Sequence, residues 1–116
     1  MYPKVYLYKR IKDARILIDR HYAEPIDLDY IAKRVYLSKY HFLRLFKEAH
    51  GTSPHKYLMQ KRITKAKVLL STELTIAQVC HEVGFESVQS FSHLFKRSTG
   101  MSPGKYRKEL ISESSE

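Results

Sequence analysis

Basic and hydroxyl side chains recur in this chain 49 residues apart, in an order suited to hydrogen bonding with a polyanion rather than to bond-making. Lys47, Ser53 and Lys56 return as Lys96, Ser102 and Lys105, and Arg44 is answered by His93. A guanidinium at position 44 can take O6 and N7 of a guanine together. Its alternatives are a phosphate contact or a solvated surface arginine. A neutral imidazole at 93 offers one donor and one acceptor, so it discriminates less sharply and responds to mild acid. The lysines at 47, 56, 96 and 105 are point charges suited to phosphates, or to plain solubility. Ser53 and Ser102 each precede a proline. They can cap helices whose first N–H groups and positive dipole end face an anion, and Ser38 and Ser87 are assigned to phosphates with them.

Other chemistry finds no support in the residue types. Six histidines and the single Cys80 lack zinc-ligand spacing. There is no Gly-rich phosphate loop, nucleophile elbow or carboxylate cluster. The expectation is a protein that is not an enzyme and that has no metal and no cofactor. Cys80 reads as a small core residue.

These side chains need elements to carry them, and the apolar residues recur at helical spacing with no alternating strand pattern. Over a sixteen-residue stretch, Phe42, Leu45, Phe46, Lys47, Gly51, Ser53, Pro54, Lys56 and Tyr57 are repeated identically as Phe91, Leu94, Phe95, Lys96, Gly100, Ser102, Pro103, Lys105 and Tyr106. Just upstream, Leu28, Ile31, Ala32 and Val35 align with Ile76, Val79, Cys80 and Val83 at an offset of 48. The one-residue difference belongs in a turn between Val35 and Phe42. Two copies are too few for a solenoid.

Tyr8, Ile11, Ala14, Ile18 and Tyr22 mark a first helix. Asp27 caps a second, and Ser38 caps a third whose buried stripe is Phe42, Leu45, Phe46 and Ala49. Gly51 stops it. A helix from Pro54 to about Leu70 follows, with Tyr57, Leu58, Ile63, Ala66, Leu69 and Leu70 toward the core. Thr75 with Gln78 forms a capping box for the next, Gly84 makes its turn, and Ser87 caps a helix buried through Phe91, Leu94 and Phe95. Gly100 ends that one, Ser102-Pro103 begins a last short helix, and residues 111–116 read as a disordered polar tail. The expected fold class is therefore all-α: one domain over 1–116, with a first subdomain at about 8–53, a connector helix at about 54–71 and a second subdomain at about 72–110.

A short helix, a tight turn and a second helix with a polar outer face describe a helix-turn-helix, whose second helix reads base edges near its N-terminus. The stripe of the first such helix leaves Lys39, Tyr40, Leu43, Arg44 and Lys47 outward. Leu43 suits a thymine methyl or ordinary core packing. In the second, Val88, Gln89, Ser92 and His93 face out with Ser90 near the edge, and Gln89 can pair with adenine N6 and N7.

Charge agrees with an anionic partner. The chain carries a net charge of +9, and between Lys33 and Lys67 ten basic residues face only Glu48. The first copy is thus expected to supply more of the sequence-independent attraction. One cysteine allows no internal disulfide, and no apolar run approaches a membrane span. With no signal-peptide pattern at the N-terminus, the reading is cytoplasmic, with no membrane partner.

At this point the second copy, from Val79-Cys80-His81-Glu82-Val83-Gly84-Phe85-Glu86-Ser87 through Phe91 to Arg97 and on to Gly100-Met101-Ser102-Pro103-Gly104-Lys105-Tyr106-Arg107, resembles the signature of the AraC/XylS family of bacterial transcription regulators. The connector, Tyr57 to Ile63 with Ala66, Leu69 and Leu70, resembles that family too. The resemblance implies a seven-helix domain whose two recognition helices enter successive major grooves on one face of double-stranded DNA. It also implies RNA polymerase as an additional partner, and the domain alone is expected to be monomeric. Arg62 resembles a family arginine that braces the halves, by a salt bridge or through DNA. Three departures stand out: Tyr36 where the family often has glycine, Cys80 for a usual alanine, and Val88 at an often polar position. A nonspecific binder of RNA or anionic membrane is the rival, and Val88, Gln89 and Ser92 break the basic stripe it would need. Many relatives carry an effector domain upstream, so the chain reads as a short regulator or as the C-terminal part of a longer one.

Overall fold

Each glycine, serine and proline that punctuates the pattern stands at a helix end in the computed structural model, which describes residues 4–114. Seven helices form there: α1 Lys4–His21, α2 Leu28–Arg34, α3 Lys39–His50, α4 Pro54–Leu69, α5 Ile76–Glu82, α6 Val88–Thr99 and α7 Pro103–Ser114. No strand occurs among the described residues.

The caps explain the boundaries. The Ser38 hydroxyl accepts from the His41 N–H at 3.2 Å, and Ser87 accepts from the Ser90 N–H at 3.1 Å. Ser53 and Ser102 do the same for Lys56 and Lys105, both at 3.2 Å. Thr75 and Gln78 close a reciprocal capping box. At the other ends Gly51 and Gly100 take φ of 73° and 84°, a left-handed conformation that costs a residue without a Cβ little.

The chain divides into two compact units, 1–61 and 62–116. In the first, Ile11, Ala14 and Ile18 of α1 bury against Ile31 and Ala32 of α2, Phe42, Leu45 and Phe46 of α3, and Leu58 of α4. In the second, Ile63, Ala66 and Leu70 gather with Val79, Cys80, Val83, Phe91 and Phe95. Connector α4 is thus shared, its first half completing one core and its second half the other. The aromatic packing is duplicated as well. Phe42 meets Phe46 edge-on at 5.8 Å and Phe46 meets Tyr57 at 5.6 Å; Phe91–Phe95 and Phe95–Tyr106 stand at 5.7 and 5.3 Å.

The one-residue offset falls after Leu37. The Leu37 N–H donates to the Ala32 carbonyl, as the Phe85 N–H donates to that of Cys80, so the turns match up to that point. Glu86 is then the extra residue before Ser87.

Some expectations change. Ala49 is exposed, because the stripe of α3 closes with Phe46 and His50 instead. Tyr22 lies just past the end of α1 but packs on its core. The connector ends at Leu69. Residues 111–114, expected as a disordered tail, continue α7. Positions 105–114 contain neither glycine nor proline, and residues such as Leu110 and Glu113 favour helix. The last part of that tail, 115–116, lies outside the described residues.

Candidate nucleic-acid interface

Burial of Phe42, Leu45 and Phe46 turns the opposite face of α3 outward. Lys39, Tyr40, Leu43, Arg44 and Lys47 are all exposed there. Leu43 is 39% exposed, so it is a surface residue rather than part of the core. The Arg44 guanidinium lies 5.8 Å from the centre of the Tyr40 ring. This cation–π contact steadies both side chains one turn apart. Lys39 is held from behind, its Nζ 3.5 Å from Oδ1 of Asp29 on α2. Both partners are largely solvated, so the pair contributes little to stability, but it places a negative charge beside the first turn of α3.

A polar cluster ties α1 to α4, and the last residue of α3 packs beside it. Asp19 accepts from Arg15 at 3.0 Å and from the Tyr57 hydroxyl at 2.6 Å, and Lys61 Nζ stands 3.4 Å away. His50, the last residue of α3, has its ring 4.6 Å from Phe46 and 6.2 Å from Tyr57. Burial lowers the His50 pKa, the Arg15 charge lowers it further, and Asp19 opposes them. Burial also raises the Tyr57 pKa, helped by its bond to Asp19.

On α6 the buried pair is Phe91 and Phe95. Val88, Gln89, Ser90 and His93 are exposed, with Val88 at 42%. Ser92, expected outward, is half-buried. It stands next to the fully buried Phe91 on the helix, at the border between the inner and outer faces. Ser87 and Ser90 are tied to each other, Oγ to Oγ, at 2.9 Å, so that part of Ser90's hydrogen-bonding capacity serves the cap. Among the residues assigned to phosphates, Ser38, Lys47, Lys56, Ser87, Lys96, Ser102 and Lys105 are exposed, and Ser53 is half-buried.

Arg62, expected as a brace acting through a salt bridge or DNA, lies in the interior rather than at an outward face. It is 8% exposed, its guanidinium 5.7 Å from the Phe85 ring centre, and burial lowers its pKa. Arg107 plays a related interior role: its Nε donates to the Leu70 carbonyl at 2.9 Å, just past the end of α4, where helix carbonyls lack partners.

Asp29 carries no signal in the sequence. Its partner lies ten residues on, outside the spacing of three or four that marks a pair along one helix. No group of three or more potential ligand side chains able to hold a metal occurs among the described residues. No helix among them is long and apolar enough to cross a membrane.

Two short helix pairs, each with a buried aromatic stripe and a capped, outward-facing second helix, define a helix-turn-helix DNA-binding domain. The chain belongs to the AraC/XylS family of transcription regulators. A family described as a helix-turn-helix domain matches residues 31–109. The uncharacterized HTH-type transcriptional regulator YdiP of Escherichia coli K12 is 36% identical over 101 residues, which are 86% of this chain and 33% of YdiP. The chain therefore spans about a third of the length of that relative. Regulatory protein SoxS of the same organism is 33% identical over 103 residues, covering 88% of this chain and 96% of SoxS. Among solved structures, the DNA-binding domain of the global transcriptional factor AdpA in complex with a target DNA is similar with a TM-score of 0.85. It shares 27% identity, covering 89% of this chain and 94% of that one.

Proposed function

We propose that the chain binds duplex DNA sequence-specifically as a monomer, with α3 and α6 as reading heads in successive major grooves on one face. The observation that carries this reading is the duplicated helix-turn-helix, with repeated cores and caps but unlike outer faces. Two unlike heads in tandem need no palindrome, so the site is an asymmetric pair of boxes about ten base pairs apart. Similarity to AdpA, solved with its target DNA, supports the same use of this fold.

In this reading Lys39, Tyr40, Leu43 and Arg44 meet bases in the first box, and Val88, Gln89, Ser90, Ser92 and His93 in the second. Arg44 suits guanine and Gln89 suits adenine. Ser38, Lys47, Ser53 and Lys56, with Ser87, Lys96, Ser102 and Lys105, hold the backbone and set register. No catalytic step is assigned. The relatives act in transcription, which supports RNA polymerase as a second partner and the bacterial cytoplasm as the site of action.

Selection from a random duplex pool at about physiological salt, held fixed because affinity for DNA falls steeply with salt, tests the proposal. Two unlike enriched boxes one turn apart are expected. A single box would leave only one head reading sequence, and no enrichment would reduce the protein to nonspecific binding.

A further inference from the structure

Tyr36 is the only residue other than glycine with positive φ among the described residues, at 62°. The matching position in the second copy is Gly84, at φ 93°. The surrounding bonds agree: the Tyr36 N–H donates to the Lys33 carbonyl and that of Gly84 to the His81 carbonyl. Both turns thus demand a left-handed residue, and the second copy meets the demand without strain. A bulky side chain there is strained. Packing gives little in return, because Tyr36 is 82% exposed.

The ring is nonetheless held in place. Arg10 on α1 donates from Nη1 to the Tyr36 carbonyl at 3.3 Å. Its guanidinium lies 5.9 Å from the Tyr36 ring centre and 4.8 Å from that of Tyr6. The two rings and Arg10 line a cleft of about 300 Å³, together with Lys9, Asp13 and Arg34. Lys9 and Arg34 are exposed. Three cations against one carboxylate, with aromatic walls, suit a sugar–phosphate chain: the cations meet phosphate, and the rings offer faces and a hydroxyl.

We propose that this cleft grips the DNA backbone flanking the first box, with Tyr36 as an anchor held in a strained turn for that purpose. Strain in a turn beside a binding helix, without a packing return, is the pattern of a functional constraint. The inference rests on the DNA-binding reading above.

The turn supplies an unusually clean variant, because Tyr36→Gly installs the solution already present at Gly84. Its melting temperature should equal or exceed that of the parent, while affinity for a selected site with natural flanks falls roughly fivefold, the scale of one lost hydrogen bond. On the same site trimmed just outside the first box, parent and variant should bind alike. Lys9→Ala and Arg34→Ala should each flatten the salt slope by about 0.9, one phosphate's worth. Equal binding of Tyr36→Gly and parent to the flanked duplex would overturn the proposal. Equal loss on both duplexes would also overturn it, since the ring would then act through α3. So would a variant that melts below the parent, since the ring would then repay its strain within the fold. A parent that binds no duplex at all would remove the DNA-binding reading itself, and this inference with it.

Discussion

The two helix-turn-helix units are nearly the same object inside and different objects outside. Phe46 and Phe95 are both fully buried, both meet a tyrosine edge-on, and both precede a left-handed glycine by five residues. Outward, Lys39, Tyr40, Leu43 and Arg44 stand where the second unit has Val88, Gln89, Ser92 and His93. Asp27 and Asp29 stand where it has Thr75 and Ala77. Close packing punishes change at either copy, so the buried aromatic positions stay alike. A cap, by contrast, needs only a side-chain oxygen and can be Asp27 in one copy and Thr75 in the other. Outer positions are under no such packing constraint, and in the proposed function their divergence fits two heads that read different sequences.

The largest effects should come from breaking the shared interior. Phe46→Ala and Phe95→Ala should each cost roughly 3–5 kcal/mol, measured by urea denaturation. A clearly smaller loss at one site would show that the two cores are not equivalent. Next come the unlike outer positions. Arg44→Ala should weaken specific binding by about 1–3 kcal/mol and relax one position of the first box alone. Equal loss on every sequence would make Arg44 a phosphate contact.

The caps should matter less. Thr75→Ala removes one half of a reciprocal box and should cost about 1 kcal/mol in thermal melts. Asp27, which caps α2 by accepting from the Asp29 N–H, should cost no more when replaced by alanine. Lys56→Ala should lower affinity uniformly and reduce the slope of log K against log salt by about 1, and an unchanged slope would reject its phosphate role.

The smallest effect separates His50 from Thr99, its counterpart in the second copy. Thr99 donates its hydroxyl to the Phe95 carbonyl at 2.8 Å, whereas His50 is held with its pKa lowered, chiefly by burial. A histidine whose folded pKa lies below its unfolded value favours the fold in its neutral form. That contribution is fully present above the unfolded pKa near 6.5. It is lost as pH falls from there through the folded value, because the unfolded chain then binds the extra proton. His50→Thr should therefore reduce the loss of stability on acidification, and an unchanged pH profile would place the sensitivity elsewhere.

Much of this molecule is legible in one dimension. Seven helices follow from apolar spacing, and their ends from Ser38, Gly51, Ser53-Pro54, Thr75, Ser87, Gly100 and Ser102-Pro103, because capping and left-handed turns are local chemistry that depends on residue type within a few positions. The outward sets on α3 and α6 follow from the same periodicity, apart from Ser92, which is half-buried at the border of the two faces. The end of α7 is the local exception. Polarity there suggests disorder, although nothing in residues 105–114 breaks a helix.

Contacts between elements distant in the chain belong to the tertiary structure alone. The division of α4 between two cores, the bond from Tyr57 to Asp19 across 38 positions and the place of Arg62 against Phe85 have no signature in spacing. The hold of Asp29 on Lys39 and of Arg10 on Tyr36 likewise arises only when α2 meets α3 and α1 meets the turn. Local order is written in neighbours, whereas a long-range partner is chosen by whichever packing buries the most apolar surface while leaving polar groups satisfied.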